Sequence, residues 1–473
     1  MVRSTSDGAP MGRRTLALWT ILAAQLMLQM DFLIVIVALP QIQQDLGFDP
    51  LALSWVPNAF GLAFGGLLLL GGRLGDILGQ VRAFRTGLII FVLASLLGGL
   101  AQTPTILVAA RVVQGIGAAL AGPSVLALVM VLARNDAERA KGMSLFIAVS
   151  SVGASAGLIL GGLLTQFLSW RWSLLINVPV GAVVIFMIGR LVTETRPRRS
   201  RLDVVGAITA TLGSVALVYG FISAAESGWL DVTTLSAFAL ALALFVLFFR
   251  TEKKHAAPLL HLDLLRDRGR VGALGVMALI VGMHFSVVFL LVQYLQQVLG
   301  WTPLFSGLAY LPLTATVFII SHFVPRLMNV FGAQALLVTG SLLVATSLVG
   351  FALLGDRSDY FPAVLVPLLI HAAGIGLVFA PGTVAIMHGV PEEHAGTASG
   401  LLQMDQQIGG ALGIAVITSI YAFGAVPGQF GSGLPAAFIG AAVIALFAAI
   451  LAMRTVSRRL QAQNSTAGIH PAS

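Results

Sequence analysis

The 473-residue chain is 58% hydrophobic and only 10% charged, with a mean hydropathy of +0.96, against roughly 45–50% apolar and about 25% charged in a soluble domain. It contains no cysteine, which excludes disulfides, thiolate metal sites and a cysteine nucleophile. Its net charge of +8 does not mark a nucleic-acid binder, because 24 of the 27 Lys and Arg fall on alternate connections between apolar runs, the positive-inside pattern of a membrane protein.

The apolar runs predict fourteen spans, over 15–40, 52–72, 83–102, 105–132, 142–168, 173–193, 203–223, 233–250, 271–295, 304–325, 333–354, 361–387, 397–422 and 434–454, each near the ~20 residues that cross a bilayer. The first follows Arg13-Arg14 as a signal peptide would, but it is too long for a signal's apolar core and carries Asp31 inside it; it reads as a retained span. Basic clusters at 3–14, 73–85, 134–141, 190–201, 250–270 and 454–459 put both termini in the cytoplasm of a multi-pass plasma-membrane protein. The octapeptide QQDLGFDP at 43–50 returns as QQVLGWTP at 296–303, an offset of 253 that also relates Arg73-Leu74 to Arg326-Leu327, Gly79 to Gly332 and Thr86-Gly87 to Thr339-Gly340. The fold class expected is therefore all-α integral membrane, two six-helix bundles from a parallel duplication. Residues 1–194 form the N-terminal bundle and 271–455 the C-terminal one. Between them, 195–255 make an inserted transmembrane hairpin with its linkers, and 256–270, where leucines alternate with charges, an amphipathic cytoplasmic helix. Residues 456–473 are a cytoplasmic tail. Glycines concentrate in the spans, where small residues let helices approach closely. No strand precedes Gly115-Ile116-Gly117, so it is no dinucleotide fingerprint, and no Walker A sequence, HExxH motif or G-x-S-x-G elbow occurs. Neither an enzyme nor a cofactor is expected, and no sizeable soluble domain is left for a sensor.

Several segments resemble the major facilitator superfamily, specifically its fourteen-span drug:proton antiporters of the EmrB/QacA type. Met30-Asp31-Phe32 through Ala38-Leu39-Pro40 is similar to the first-span signature, and Gly72-Arg73-Leu74-Gly75-Asp76 with Gly79 and Arg82 to the loop motif between spans two and three. Arg111-Val112-Val113-Gln114-Gly115-Ile116-Gly117 matches the span-four arginine motif. Ser169-Trp170-Arg171-Trp172, Asn177-Val178-Pro179 and Gly400 through Gly410 resemble further motifs of the fourteen-span group. In the span-five motif, Gly157-Leu158-Ile159-Leu160-Gly161-Gly162 has leucine where the family carries proline. The resemblance implies proton-coupled efflux, by antiport and alternating access, of amphipathic small molecules, cations and antibiotics among them. The alternative it leaves is a dedicated exporter of one endogenous metabolite, antibiotic or lipid. Its partners would be substrate, protons and the lipid bilayer, and it would act as a monomer.

An ionisable side chain at mid-bilayer costs at least roughly 2.5–3.5 kcal/mol on insertion scales, so Asp31, Arg111, His284, His322, His371 and Asp405 stand out. Asp31 lies roughly 13 Å and Arg111 roughly 10 Å below the same surface at about 1.5 Å per residue. The pair reads either as proton-coupling or as a static ion pair. His284 occupies the repeat position of Asp31 (31 + 253), and an imidazole, which ordinarily titrates near about 6.5, suits proton exchange. His371 falls close to the counterpart of Arg111 once a six-residue shift is allowed. Asp405, flanked by Gln403, Gln406 and Gln407, suits a cationic substrate, with Gln114, Phe285 and Gln293 as further lining. Asp76 and Arg82, either side of Gly79, are expected to latch the cytoplasmic gate.

Overall fold

Hydrocarbon offers backbone groups no hydrogen-bond partner, so segments that cross it satisfy their own as helices. The computed structural model describes residues 11–194, 203–255, 258–260, 262–355, 358–390, 395–426 and 428–456. The chain runs through α1 (Met11–Leu46), α2 (Trp55–Leu78), α3 (Gln80–Gly99), α4 (Pro104–Leu132), α5 (Asp136–Phe167), α6 (Trp172–Leu175), α7 (Asn177–Leu191), α8 (Val204–Ser227) and α9 (Val232–Lys254). It continues through α10 (Arg268–Gln293), α11 (Pro303–Leu308), α12 (Leu311–Ala352), α13 (Leu365–Met387), α14 (Ala395–Gly424) and α15 (Leu434–Thr455). Leu93, Phe186 and Phe318 are 60%, 59% and 74% exposed in the middle of long helices, a surface suited to hydrocarbon rather than water.

Among the described residues, twelve helical stretches are long and apolar enough to cross a membrane, or thirteen if the bent pair Lys141–Ser150 and Ser155–Phe167 is one span. Fourteen were expected. The difference arises at two places: the 40° bend inside 141–167, and the stretch Pro303–Ala352, which runs on for 50 residues where two spans were drawn. That stretch is not one straight rod, because α12 has non-helical backbone at Gly332 (φ 80°, ψ 161°).

The duplication is written into the backbone at glycine. Gly79 and Gly332, one repeat apart, take φ of +94° and +80°, and Gly47 and Gly300 take +70° and +68°. This is a region that only glycine enters readily, so the four positions break the helices at equivalent points of both copies.

Contact clustering divides the chain into two compact units, the first drawn from Met1–Gly220, Val232–Leu259 and Leu295–Tyr310, the second from Phe221–Asp231, Leu260–Tyr294 and Leu311–Ser473. Within the second, α10 and α14 touch backbone to backbone: a Cβ added to Gly413 would lie 2.2 Å from the Gly282 Cα. Backbone cannot yield as a side chain can, and overpacking typically costs about 1–3 kcal/mol. Gly413→Val should therefore lower the thermal unfolding temperature of the purified protein. Gly122→Ala, whose methyl would meet the Phe64 ring at an ordinary 3.4 Å, should leave it unchanged.

The expected amphipathic helix over 256–270 does not form as drawn. The described part holds one 3-10 turn, Leu262–Leu265, before α10 begins. Asp267 sets that start by capping: its side chain accepts the Arg270 N–H at 2.7 Å, as short acidic residues do at helix N-termini. Arg270 then turns inward and donates to the carbonyls of Leu264, Ile386 and His388 at 2.8–2.9 Å. Leu259, Leu260 and Leu264 are buried in protein, while Leu262 and Leu265 stay half-buried. The basic link at 195–202 and the tail beyond 456 lie outside the described residues.

Candidate functional site

In the first unit, Asp31 sits in the middle of α1 with no exposed surface. Its carboxylate accepts from the Arg111 guanidinium on α4, from Gln114 Nε2 at 3.1 Å and from Asn177 Nδ2 on α7 at 2.6 Å. Arg111 and Gln114 share one face of α4 by their three-residue spacing and bond each other at 2.9 Å. Arg111 also donates to the Val56 carbonyl at 3.1 Å, and its guanidinium carbon lies 4.4 Å from the Phe60 ring centroid. Gln114 reaches Ser95 Oγ on α3 at 2.7 Å. A buried ion pair holds only where its remaining lone pairs and protons are satisfied, and here amides from two helices complete the carboxylate. Asp31 and Arg111 thus meet as their depths predicted. Gln114, expected to line a substrate path, is instead fully buried and occupied by this network. Asn177 and Ser95 are the members that charge alone did not single out.

The second unit builds a matching site from different chemistry. Gly87 and Gly117 pack reciprocally in the first unit, each other's carbonyl 2.7 Å from the added Cβ, and Gly340 packs against Gly374 in the same way at 2.7–2.8 Å. Gly340 is Gly87 plus 253, and Gly374 is Gly117 plus 257, so the second copy gains four residues here. That makes His371 the counterpart of Gln114; the place of Arg111 falls to Leu368, which corrects the six-residue shift inferred from sequence. His284 Nδ1 lies 3.2 Å from His371 Nε2, the two rings near-parallel at 16°, and His371 Nδ1 lies 3.1 Å from Ser347 Oγ. Acid and amide in one unit are matched by imidazole and imidazole in the other, and each site adds a hydroxyl, although Ser347 stands one residue before Leu348, the repeat position of Ser95.

The remaining expected residues separate. Phe285 packs over Gly410 of α14, where an added Cβ would come within 2.2 Å of its ring. Gln293 is buried and bonds its own helix at the Phe289 carbonyl, 3.1 Å. Gln403, Asp405 and Gln406 are half-buried on α14, and Asp405 Oδ2 is buried with no hydrogen-bond partner among the described residues. His322 is exposed and edge-on to Phe323.

Asp76 and Arg82 do not bond each other. Asp76 accepts from Gln80 Nε2 at 3.1 Å, one helical turn away across Gly79, while Arg82 faces Glu194, Nε to Oε2 3.8 Å. Glu194 accepts the N–H groups of Val81 (3.0 Å) and Arg82 (2.9 Å) at the start of α3, where an anion meets the positive end of the helix dipole. A Cβ on Gly79 would lie 2.4 Å from its Oε1, so the glycine is needed for both conformation and space. Glu194→Ala should remove a cap of about 0.5–2 kcal/mol. The expected readout is faster hydrogen exchange at the Val81 and Arg82 amides, with other helix starts unchanged. Trp170 and Arg171 play a comparable structural part, since both side chains hold the Asp45 carboxylate, Trp170 Nε1 at 2.8 Å.

Buried titratable groups at matching positions of two repeated helical units define a class, the membrane transporters built by duplication. Among the described residues no cluster of three His, Cys, Asp or Glu side chains suits a metal ion. The chain belongs to the Major Facilitator Superfamily, whose model matches residues 21–414; it is a multi-pass membrane transporter rather than an enzyme. It is 36% identical to the uncharacterized MFS-type transporter EfpA of Mycobacterium tuberculosis, over 84% of this chain and 75% of that one. To the puromycin resistance protein pur8 of Streptomyces alboniger it is 37% identical (89% and 84% covered), and to the cephamycin export protein CmcT of Amycolatopsis lactamdurans 36% (92% and 91% covered). A crystal structure of a peptide transporter, POT, in complex with sulfate shares the fold, with a TM-score of 0.68 at 14% identity over 94% of this chain and 95% of that one.

Proposed function

We propose that this transporter exports amphipathic small molecules, antibiotics and lipophilic cations among them, in exchange for protons. The observation that carries the reading is the Asp31 carboxylate, held fully buried by Arg111, Gln114 and Asn177. A proton on Asp31 cancels the charge for which those donors converge, so protonation state and helix packing are tied together. Relatives named for resistance to puromycin and lincomycin, and for cephamycin export, support drugs as cargo. Alternating access is the cycle that fits, with both termini cytoplasmic in the plasma membrane and the chain acting as a monomer. The fourteen-crossing form is part of the proposal: the break at Gly332 divides α12 into 311–331 and 333–352, each about 30 Å long at ~1.5 Å per residue and long enough to cross alone. The hairpin of α8 and α9 is then an insertion between two six-helix halves. In this scheme Asp31, Arg111 and His284 handle protons, and Asp405, Gln403, Gln406 and Phe285 meet substrate. Gly79, Asp76 and Arg82, together with Glu194, control the cytoplasmic gate.

The test is dye efflux and drug susceptibility in a bacterium lacking its own pumps, with and without a protonophore. Extrusion of several lipophilic cations that stops with the protonophore is expected. Extrusion that persists when the proton gradient is collapsed would remove proton coupling. Protection against a single compound would favour the dedicated exporter, as the relatives named for one antibiotic each do.

A further inference from the structure

Between α3 and α7, within the first unit, lies a groove of ≈ 570 Å³ lined by Arg85, Ile89, Leu93, Ile185, Phe186 and Arg190, among others. Its chemistry is graded along the helices. Arg85, Ile89 and Leu93 fall at four-residue intervals on one face of α3, and Phe186 and Arg190 at the same interval on α7. On α3 a guanidinium therefore stands at one end of an apolar track roughly 12 Å long at ~1.5 Å per residue, and on α7 Arg190 stands one turn beyond Phe186. Leu93 and Phe186 are more than half exposed, so the track faces outward. Gly189 makes room for Arg85, whose guanidinium carbon lies 3.2 Å from where a Cβ would stand. The Arg190 guanidinium stacks 3.9 Å over the Phe186 ring, a contact that leaves its N–H edge free. Neither guanidinium has an ion-pair partner among the described residues. Around them stand Arg13, which donates to the Arg190 carbonyl, and Arg82 with Glu194, already engaged with each other. The adjoining link, TRPRRSRL at 195–202, adds four arginines and no acid by sequence.

We propose that this groove holds one anionic phospholipid of the inner leaflet, its phosphate between Arg85 and Arg190 and an acyl chain along Ile89, Leu93 and Phe186. Two unpaired guanidiniums select an anion and favour phosphate geometry. The exposed apolar track selects a ligand already dissolved in the bilayer over a soluble phosphate. The leaflet follows from the positive-inside orientation; the site itself does not depend on the transport reading.

Purified protein in detergent, offered phosphatidylglycerol or phosphatidylcholine and examined by native mass spectrometry, should retain one phosphatidylglycerol in preference. A basic residue near anionic lipid contributes about a fivefold factor, so the double variant Arg85→Gln/Arg190→Gln should lose roughly twenty-fivefold of that preference. Arg250→Gln, on another exposed face, should lose none. An unchanged preference in the double variant would overturn the site, as would an equal loss in Arg250→Gln. Should the double variant not fold, Leu93→Trp in the otherwise unaltered chain gives a second reading. Brominated phosphatidylglycerol should quench its fluorescence more than brominated phosphatidylcholine, and equal quenching would also overturn the proposal.

Discussion

Asp31→Asn is expected to reduce proton-driven efflux to background and to lower stability by about 3–5 kcal/mol, the usual cost of leaving one member of a buried ion pair without the other. Asparagine keeps the shape and can still accept hydrogen bonds, but the Arg111 charge loses its counterion with no water to replace it, since both side chains are fully buried. The double variant Asp31→Asn/Arg111→Gln separates the two effects. Removing both charges should recover most of the stability, read as thermal unfolding in detergent, while transport under an imposed pH gradient stays at background. If the double variant recovers transport as well, the pair is a static brace. Wild-type rates in the single variant would remove Asp31 from the coupling mechanism altogether.

Asp405→Asn should change which compounds are carried more than whether the protein folds. The Asp405 Oδ2 atom is buried without a partner among the described residues, so its loss breaks no bond that holds the helices. It stands one turn before Gly409, which packs against the backbone and methyl group of Ala278 on α10. A contact to a charged group contributes roughly 1.5–3 kcal/mol, or about tenfold or more in affinity. Efflux of lipophilic cations should fall by roughly that factor, with neutral compounds little affected. Equal losses in both classes would instead make Asp405 a coupling or structural residue. No loss in either would mean that substrate does not meet it.

How far each residue could be read in advance depended on how it contrasts with its surroundings. Asp31 and Arg111 are opposite charges within apolar spans, and their shared depth follows from helix rise alone, so their pairing was legible. Asn177 and Ser95 complete the same network but are neutral, and neutral polar residues are common in spans; only the approach of α3 and α7 gives them a role. Asp76 and Arg82 belong to one loop motif, yet the positive φ of Gly79 ends one helix and starts another between them, so each finds a different partner. Glu194 closes that corner from a residue far along the chain, beside a basic link where an acid looks merely solvated. His284 was fixed by the repeat, whereas His371 needed the Gly340–Gly374 contact to reveal four added residues. The helix expected over 256–270 failed because its leucines have two possible burial sites, membrane or protein, and periodicity is the same for either.

The histidine pair has a direction. Where Ser347 gives its one hydroxyl proton to the Val344 carbonyl, 2.6 Å away, it can only accept from His371 at 3.1 Å, whose Nδ1 then bears hydrogen. In neutral rings His371 Nε2 is then the acceptor and His284 Nδ1 the donor, each tautomer fixed in turn by the neighbour after it. Every ring nitrogen of the pair is thereby committed except one, His284 Nε2, whose lone pair none of these bonds uses. In that arrangement the one uncommitted nitrogen lies on the half-buried ring of His284 and none on the fully buried ring of His371. The first unit has no such polarity, because a carboxylate takes its proton on either oxygen. Two positions one repeat apart thus differ in kind: a carboxylate with two equivalent oxygens at Asp31, and a ring with two inequivalent nitrogens at His284.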